Sequence, residues 1–240
     1  FREAFATTVL QVFFLVAPIS FMVFLLRAQI VRLGYGVGSK FTWDDTRLTA
    51  AALGIFAFGI LFYSLIPFFA RTFFALQDTK TPTLVNIIFV MLNIFLALSF
   101  LNVLADPSVL SDVLVSVLKL SGIPDIRILA LPLALVVAGA FQALCSFLLL
   151  RKSIGGVMGK SFMSSLLKSG IASLALALAT YGILQIYGGV FPLTTYKEVL
   201  GQFLLASLGG AVVFIGTAFL LRSPEMTYFW RAFRSKFYGR

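Results

Sequence analysis

Leu48 to Ala70 reads LTAAALGIFAFGILFYSLIPFFA, a run without a single Asp, Glu, Lys or Arg. A helix rises about 1.5 Å per residue, so ~20 apolar residues cross a hydrocarbon core about 30 Å thick. Five more uncharged stretches flank it, at 4–26, 83–105, 128–150, 169–187 and 199–221. Continuous apolar runs exclude the alternating ~10-residue segments of a membrane β-barrel. The fold class that follows is all-α: a polytopic membrane helical bundle with six transmembrane helices. The segments group as 1–152, holding the first four spans, then 153–222 with the final helix pair, then a basic aromatic tail, 223–240.

Composition agrees, with 60% hydrophobic and 12% charged residues. Histidine is absent, which removes the commonest general base, proton relay and zinc ligand. No catalytic constellation stands out, so the expectation is no enzyme, no cofactor and no metal. Cys145, the one cysteine, lies inside the fourth span and is expected to pack as a small apolar residue. Phe1-Arg2-Glu3 leads straight into a span without the n-region or cleavage site of a signal peptide. That points to an N-terminal part of a longer protein upstream.

The net charge of +10 gathers at span ends, which suggests lipid headgroups as partners and not nucleic acid. With a cytoplasmic N-terminus, twelve of the nineteen Lys and Arg fall in inner segments, as the positive-inside rule expects. Six of the nine acids then fall outside. Both ends of the chain are read as cytoplasmic. In the tail, Tyr228, Phe229, Trp230, Phe233, Phe237 and Tyr238 alternate with Arg231, Arg234, Lys236 and Arg240. After a membrane span this pattern suits anionic lipids on the inner leaflet, at ~1 kcal/mol per basic residue.

The connections carry more detail. The first, 27–47, contains Gly34-Tyr35-Gly36-Val37-Gly38, a flexible turn rather than a phosphate cradle, because no strand precedes it. Thr42-Trp43-Asp44-Asp45 makes a capping box for the second helix. In the second, Thr81 followed by Pro82 reads as a cap and first residue of the third helix. Asp78 there can accept backbone N–H bonds or pair with Lys80 or Arg71. A well-capped hairpin explains these residues; the sharper reading has Arg71 and Lys80 meeting an anionic substrate. Between the third and fourth spans, 107–121 predicts an interfacial helix with Val109, Leu110, Val113, Leu114, Val117 and Leu118 on one side, ended by Gly122 and Pro124. Asn86 and Asn93, seven apart, share a face of the third span and read either as interhelical glue or as cavity lining.

Two of these stretches carry a family resemblance. Gly38-Ser39-Lys40-Phe41-Thr42-Trp43-Asp44-Asp45-Thr46-Arg47-Leu48-Thr49-Ala50 resembles the "GxFT..DT..TA" stretch of the MurJ (MviN) lipid II flippase family of the MOP exporter superfamily. Arg71-Thr72-Phe73-Phe74-Ala75-Leu76-Gln77-Asp78-Thr79-Lys80-Thr81-Pro82 is similar to that family's "RxFYAxxDTKTP" hairpin, with Phe74 in place of Tyr. The order is right and one span separates the two motifs. The resemblance implies that the six spans are helices 9 to 14 of a two-lobe transporter whose N-terminal lobe lies upstream. It implies a flippase that moves an undecaprenyl-pyrophosphate-linked peptidoglycan precursor across the bacterial cytoplasmic membrane by alternating access, with no covalent chemistry. The family's strongest headgroup-binding arginines belong to helices upstream of this chain. The connection 106–127 departs from the pattern in being longer than a short turn.

The resemblance also places a groove for the polyprenyl tail in the final helix pair. Small residues there, among them Ala172, Ala175, Ala179, Gly209 and Gly210, either allow close helix approach or leave a shallow apolar furrow. The alternatives are another MOP exporter, such as an O-antigen or polysaccharide flippase, and an integral membrane enzyme acting on polyprenyl phosphates. The enzyme would need clustered Asp or His at one face, and the sequence has no histidine and no paired acids within a span.

Overall fold

The computed structural model describes residues 1–35, 42–155 and 159–228. It contains seven α-helices among those residues: α1 (Arg2–Tyr35), α2 (Trp43–Ala75), α3 (Lys80–Val103), α4 (Val109–Leu118), α5 (Ala130–Ile154), α6 (Lys160–Val190) and α7 (Tyr196–Leu220). Six are long and apolar enough to cross a membrane, and α4 is the short exception. The bundle is all-α and polytopic, as the uncharged runs predict.

The helices outrun the uncharged stretches. α1 continues past Leu26 through Tyr35 and so contains Arg27 and Arg32, which the charge pattern had put in a loop. Lys and Arg are good helix formers, so charge ends a membrane span without ending the helix. α2 starts where expected: Thr42 caps it, the Thr42 backbone N–H donating to Asp45 Oδ2 at 2.9 Å and Asp45 N–H to Thr42 Oγ1 at 3.2 Å. Gly36 to Phe41, the middle of the glycine run and the start of the first motif, lies outside the described residues, as does the tail from 229 on.

The packing order across the bundle is α3, α5, α2, α1 and then the α6–α7 pair. α1 is thus held on two sides. At the end that carries the α2–α3 turn, Phe5 of α1 stacks near Phe68 and Phe147, with ring centroids 5.4 and 6.4 Å away. Phe69, Phe73 and Leu150 complete that cluster. Midway, Phe14 meets Phe214 of α7 with centroids 5.0 Å apart, over Ala172 and Leu176 of α6.

At the opposite end α4 closes the bundle. Ser108 caps it, exchanging bonds with Ser111. Leu114 and Leu118 are buried against Ala51, Ile55 and Leu129, while Val109, Val113 and Val117 stay exposed. The expected apolar stripe is therefore split between the core and the surface. The helix ends at Lys119 in the left-handed conformation, φ 58°, rather than at Gly122. Arg47 of α2 fixes that end: its guanidinium donates to the Lys119 carbonyl and, at 3.0 Å, to the Ser121 carbonyl.

Candidate functional site

The α2–α3 hairpin is built by its backbone. After α2, the Gln77 N–H donates to Phe74 O and the Asp78 N–H to Phe73 O, both at 3.0 Å. Gln77 takes φ 61° to allow it, the paired-bond helix ending in which glycine is the usual residue. Asp78 Oδ1 then accepts from the N–H groups of Lys80 and Thr81, at 3.1 and 3.0 Å. These bonds, first the hydroxyl and N–H of Thr81, then Lys80, hold the Asp78 carboxyl below its ordinary value. The N-cap position of α3 is Thr79, whose side chain makes no capping bond; Asp78 just before it does the capping, and Thr81 and Pro82 sit inside the first turn. The expectation of Thr81 as cap is corrected: a carboxylate three residues earlier reaches the same orphan N–H groups, and Pro82 needs no N–H partner there. Arg71 and Lys80 are both exposed on this hairpin. No hydrogen bond or ion pair among the described residues joins either to Asn86 or Asn93.

Asn86 and Asn93 belong to the helix that packs on α5. Asn86 Oδ1 accepts from Gln142 Nε2 of α5 at a long 3.4 Å. Asn93 Oδ1 is buried with no partner among the described residues. Asn86 thus has an interhelical bond of the kind that joins membrane helices, and Asn93 retains an unused acceptor.

Between α6 and α7 runs an apolar groove of about 490 Å³, lined among others by Ile183, Tyr187, Phe191, Leu205, Gly209 and Val212. Of the small residues singled out in this pair, Gly209 borders it. Ala172 is buried under Phe14 and Phe214. Gly210 presses on Thr180, whose hydroxyl a Cβ there would strike. Ala175 and Ala179 are half-buried. Small side chains serve close packing along one length of the pair and leave a furrow along the other.

A second cavity, about 710 Å³, opens at the end away from the hairpin, between α1, α4, α6 and α7. Arg27, Gln29, Lys119, Tyr181, Gln185 and Gln202 are among its walls. Arg27 donates to the Phe24 carbonyl at 2.8 Å and lies 4.6 Å above the Phe24 ring. Gln29 Nε2 donates to Gln202 Oε1, and Gln202 Nε2 to Leu184 O, each at 3.0 Å. Arg32 donates to Leu193 O at 2.6 Å, tying α1 to the α6–α7 connection. Reading Arg27 as a loop residue hid this site. The signal was there: Ala28, Ile30, Val31 and Leu33 continue the apolar helix with no breaker before Gly34.

The family model of lipid II flippase MurJ matches residues 1–200. A probable lipid II flippase MurJ of Borreliella burgdorferi is 36% identical over 85 residues, 35% of this chain and 17% of that protein. A protein of the same description from Thermotoga maritima is 27% identical over 171 residues, 68% of this chain and 35% of its own length. The chain thus spans about a third or less of the curated relatives it matches.

Proposed function

This chain belongs to the lipid II flippase MurJ family, and from that premise we propose that it is the C-terminal part of a transporter for lipid-linked peptidoglycan precursors. The substrate is an undecaprenyl-pyrophosphate-linked saccharide carried across the bacterial cytoplasmic membrane. Alternating access moves it, with no bond made or broken by the protein, and an N-terminal lobe supplies the other wall of the path. Both ends of this chain face the cytoplasm, as the placement of Lys and Arg argues. The hairpin with Arg71 and Lys80 then lies at the cytoplasmic mouth, where two exposed cations meet a pyrophosphate on entry.

The observation that carries this reading is the groove between α6 and α7. Its walls are almost wholly apolar, and it runs along the surface of two spans. A polyprenyl chain needs apolar walls rather than charge, and Ile183, Tyr187, Leu205 and Val212 supply such walls to one stretch of it. Val212 lines it and is 69% exposed, so Val212→Trp fills the furrow without entering the helix seam. Gly209→Trp is the poorer probe, because a side chain there collides with Ile183. In the full-length protein, Val212→Trp is expected to leave insertion and melting unchanged while lowering lipid II translocation severalfold. Undiminished translocation with unchanged lipid crosslinking would remove the groove from the path.

A further inference from the structure

We propose that the cavity bounded by α1, α4, α6 and α7 holds the phosphate-bearing headgroup of an anionic membrane lipid. The site rests on its own geometry and does not depend on which lipid the protein transports.

Depth comes first. Arg27 follows Arg2 by 25 residues of continuous helix, about 37 Å at 1.5 Å per residue, which exceeds a ~30 Å hydrocarbon core. The cavity therefore sits at headgroup level, on the face opposite the hairpin.

Charge is the second argument. Arg27 and Lys119 both line the cavity. The ion pairs among the described residues are Arg47–Asp44 and Arg127–Asp125, and neither engages a cavity cation. Arg27 commits one donor to the Phe24 carbonyl and rests on the Phe24 ring, which fixes the guanidinium while its other donors stay available. Lys119 is held by its backbone, since Arg47 clamps its carbonyl. Two positioned cations without an acid describe a receptor for an anion, and a guanidinium suits phosphate oxygens in particular.

The amide chain supplies the third. The Leu184 carbonyl can only accept, so Gln202 must present Nε2 to it and Oε1 to Gln29. Gln29 must then donate through Nε2, which leaves its Oε1 as the acceptor. That oxygen is buried and has no partner among the described residues. Gln29 and Gln202 line the cavity together with Arg27 and Lys119, so this chain of bonds fixes a polar wall against which a phosphate-bearing headgroup rests, as in phosphatidylglycerol. The same turns of α6 border the apolar groove through Ile183, Ile186 and Tyr187, so apolar surface for the lipid chains lies close by.

The test titrates the purified full-length protein in detergent with phosphatidylglycerol or phosphatidylcholine and reads retained lipid by native mass spectrometry. Phosphatidylglycerol is expected to bind about tenfold more tightly than phosphatidylcholine. The Arg27→Gln, Lys119→Gln double variant should lose that preference, while Lys152→Gln, at the other end of α5, should keep it. Lys119→Gln alone leaves α1 untouched, so a severalfold loss there supports the site even where Arg27→Gln lowers the melting temperature. Equal binding of the two lipids by the wild type would overturn the proposal. So would a preference that survives Lys119→Gln and the double variant. Displacement of the lipid by excess inorganic phosphate would overturn it as well, by making the cavity a site for free anions.

Discussion

α1 and α3 are both long, apolar and free of charge through their spans, yet 28% of the most apolar window of α1 is buried against 6% for α3. α1 has α2 on one side and the α6–α7 pair on the other, whereas α3 rests mainly on α5. Leu84, Ile87, Met91, Phe95 and Leu98 of α3 are all exposed. In lipid, apolarity only assigns a helix to the membrane, because a lipid tail is as apolar as a leucine. Position within the bundle comes from shape. Buried Phe5, Phe14 and Ala17 place α1 among its neighbours, and Gly54 of α2 leaves room for the Arg27 stem.

The strongest way to break that comparison is to cut one large side chain from each helix. Phe14→Ala removes the ring that meets Phe214 and covers Ala172. It should cost about 3 kcal/mol as an unfilled cavity. Met91→Ala, at a position 66% exposed, should change stability by less than about 0.5 kcal/mol. Thermal melting of the two full-length variants checks both. Equal losses would mean that α3 is as tightly packed as α1.

The final helix pair sharpens the point within a single helix. A Cβ at Gly210 would collide with Thr180, while one at Gly216 meets nothing within 4 Å. Gly210→Leu is therefore expected to cost about 2 kcal/mol through overpacking. Gly216→Leu should be neutral or slightly stabilising, since leucine is the better helix former. Circular dichroism melts in detergent distinguish them.

The spans were legible in the sequence because six uncharged runs leave no other fold open, and Thr42 with Asp45 announced the start of α2. The helix ends were not. Arg27 and Arg32 interrupt hydropathy but not helicity, so the last turns of α1, and with them the cationic cavity, were read as loop. Thr81 looked like a cap because it precedes Pro82, whereas Asp78 reaches the same N–H groups from outside the helix. The Gln29–Gln202 bond joins residues 173 apart, and nothing in either local sequence indicates the pairing. Small residues in α6 and α7 marked a special surface, but spacing alone does not say that Gly209 lines the groove against Ile183 while Gly210 packs on Thr180.

The hairpin gives the smallest effect and a pH signature. Asp78→Ala removes the acceptor for two N–H groups of α3 and should lower the melting temperature by about 2 °C. Thr81→Ala should do less, since Thr81 is not the cap. The carboxyl of Asp78 is depressed in the folded chain, so its contribution is complete above the ordinary carboxylate value of about 3.9. It fades as pH falls through the depressed one. Asp125, held down to about 2 chiefly by the Arg127 side chain, behaves in the same sense and loses its contribution only near that pH. The melting temperature should therefore hold down to about pH 4 and fall as pH drops below it, less steeply in Asp78→Ala because that variant has already lost the cap. Parallel wild-type and Asp78→Ala profiles would show that Asp78 does not hold the start of α3, and the hairpin would then owe its shape to the backbone bonds around Gln77 alone.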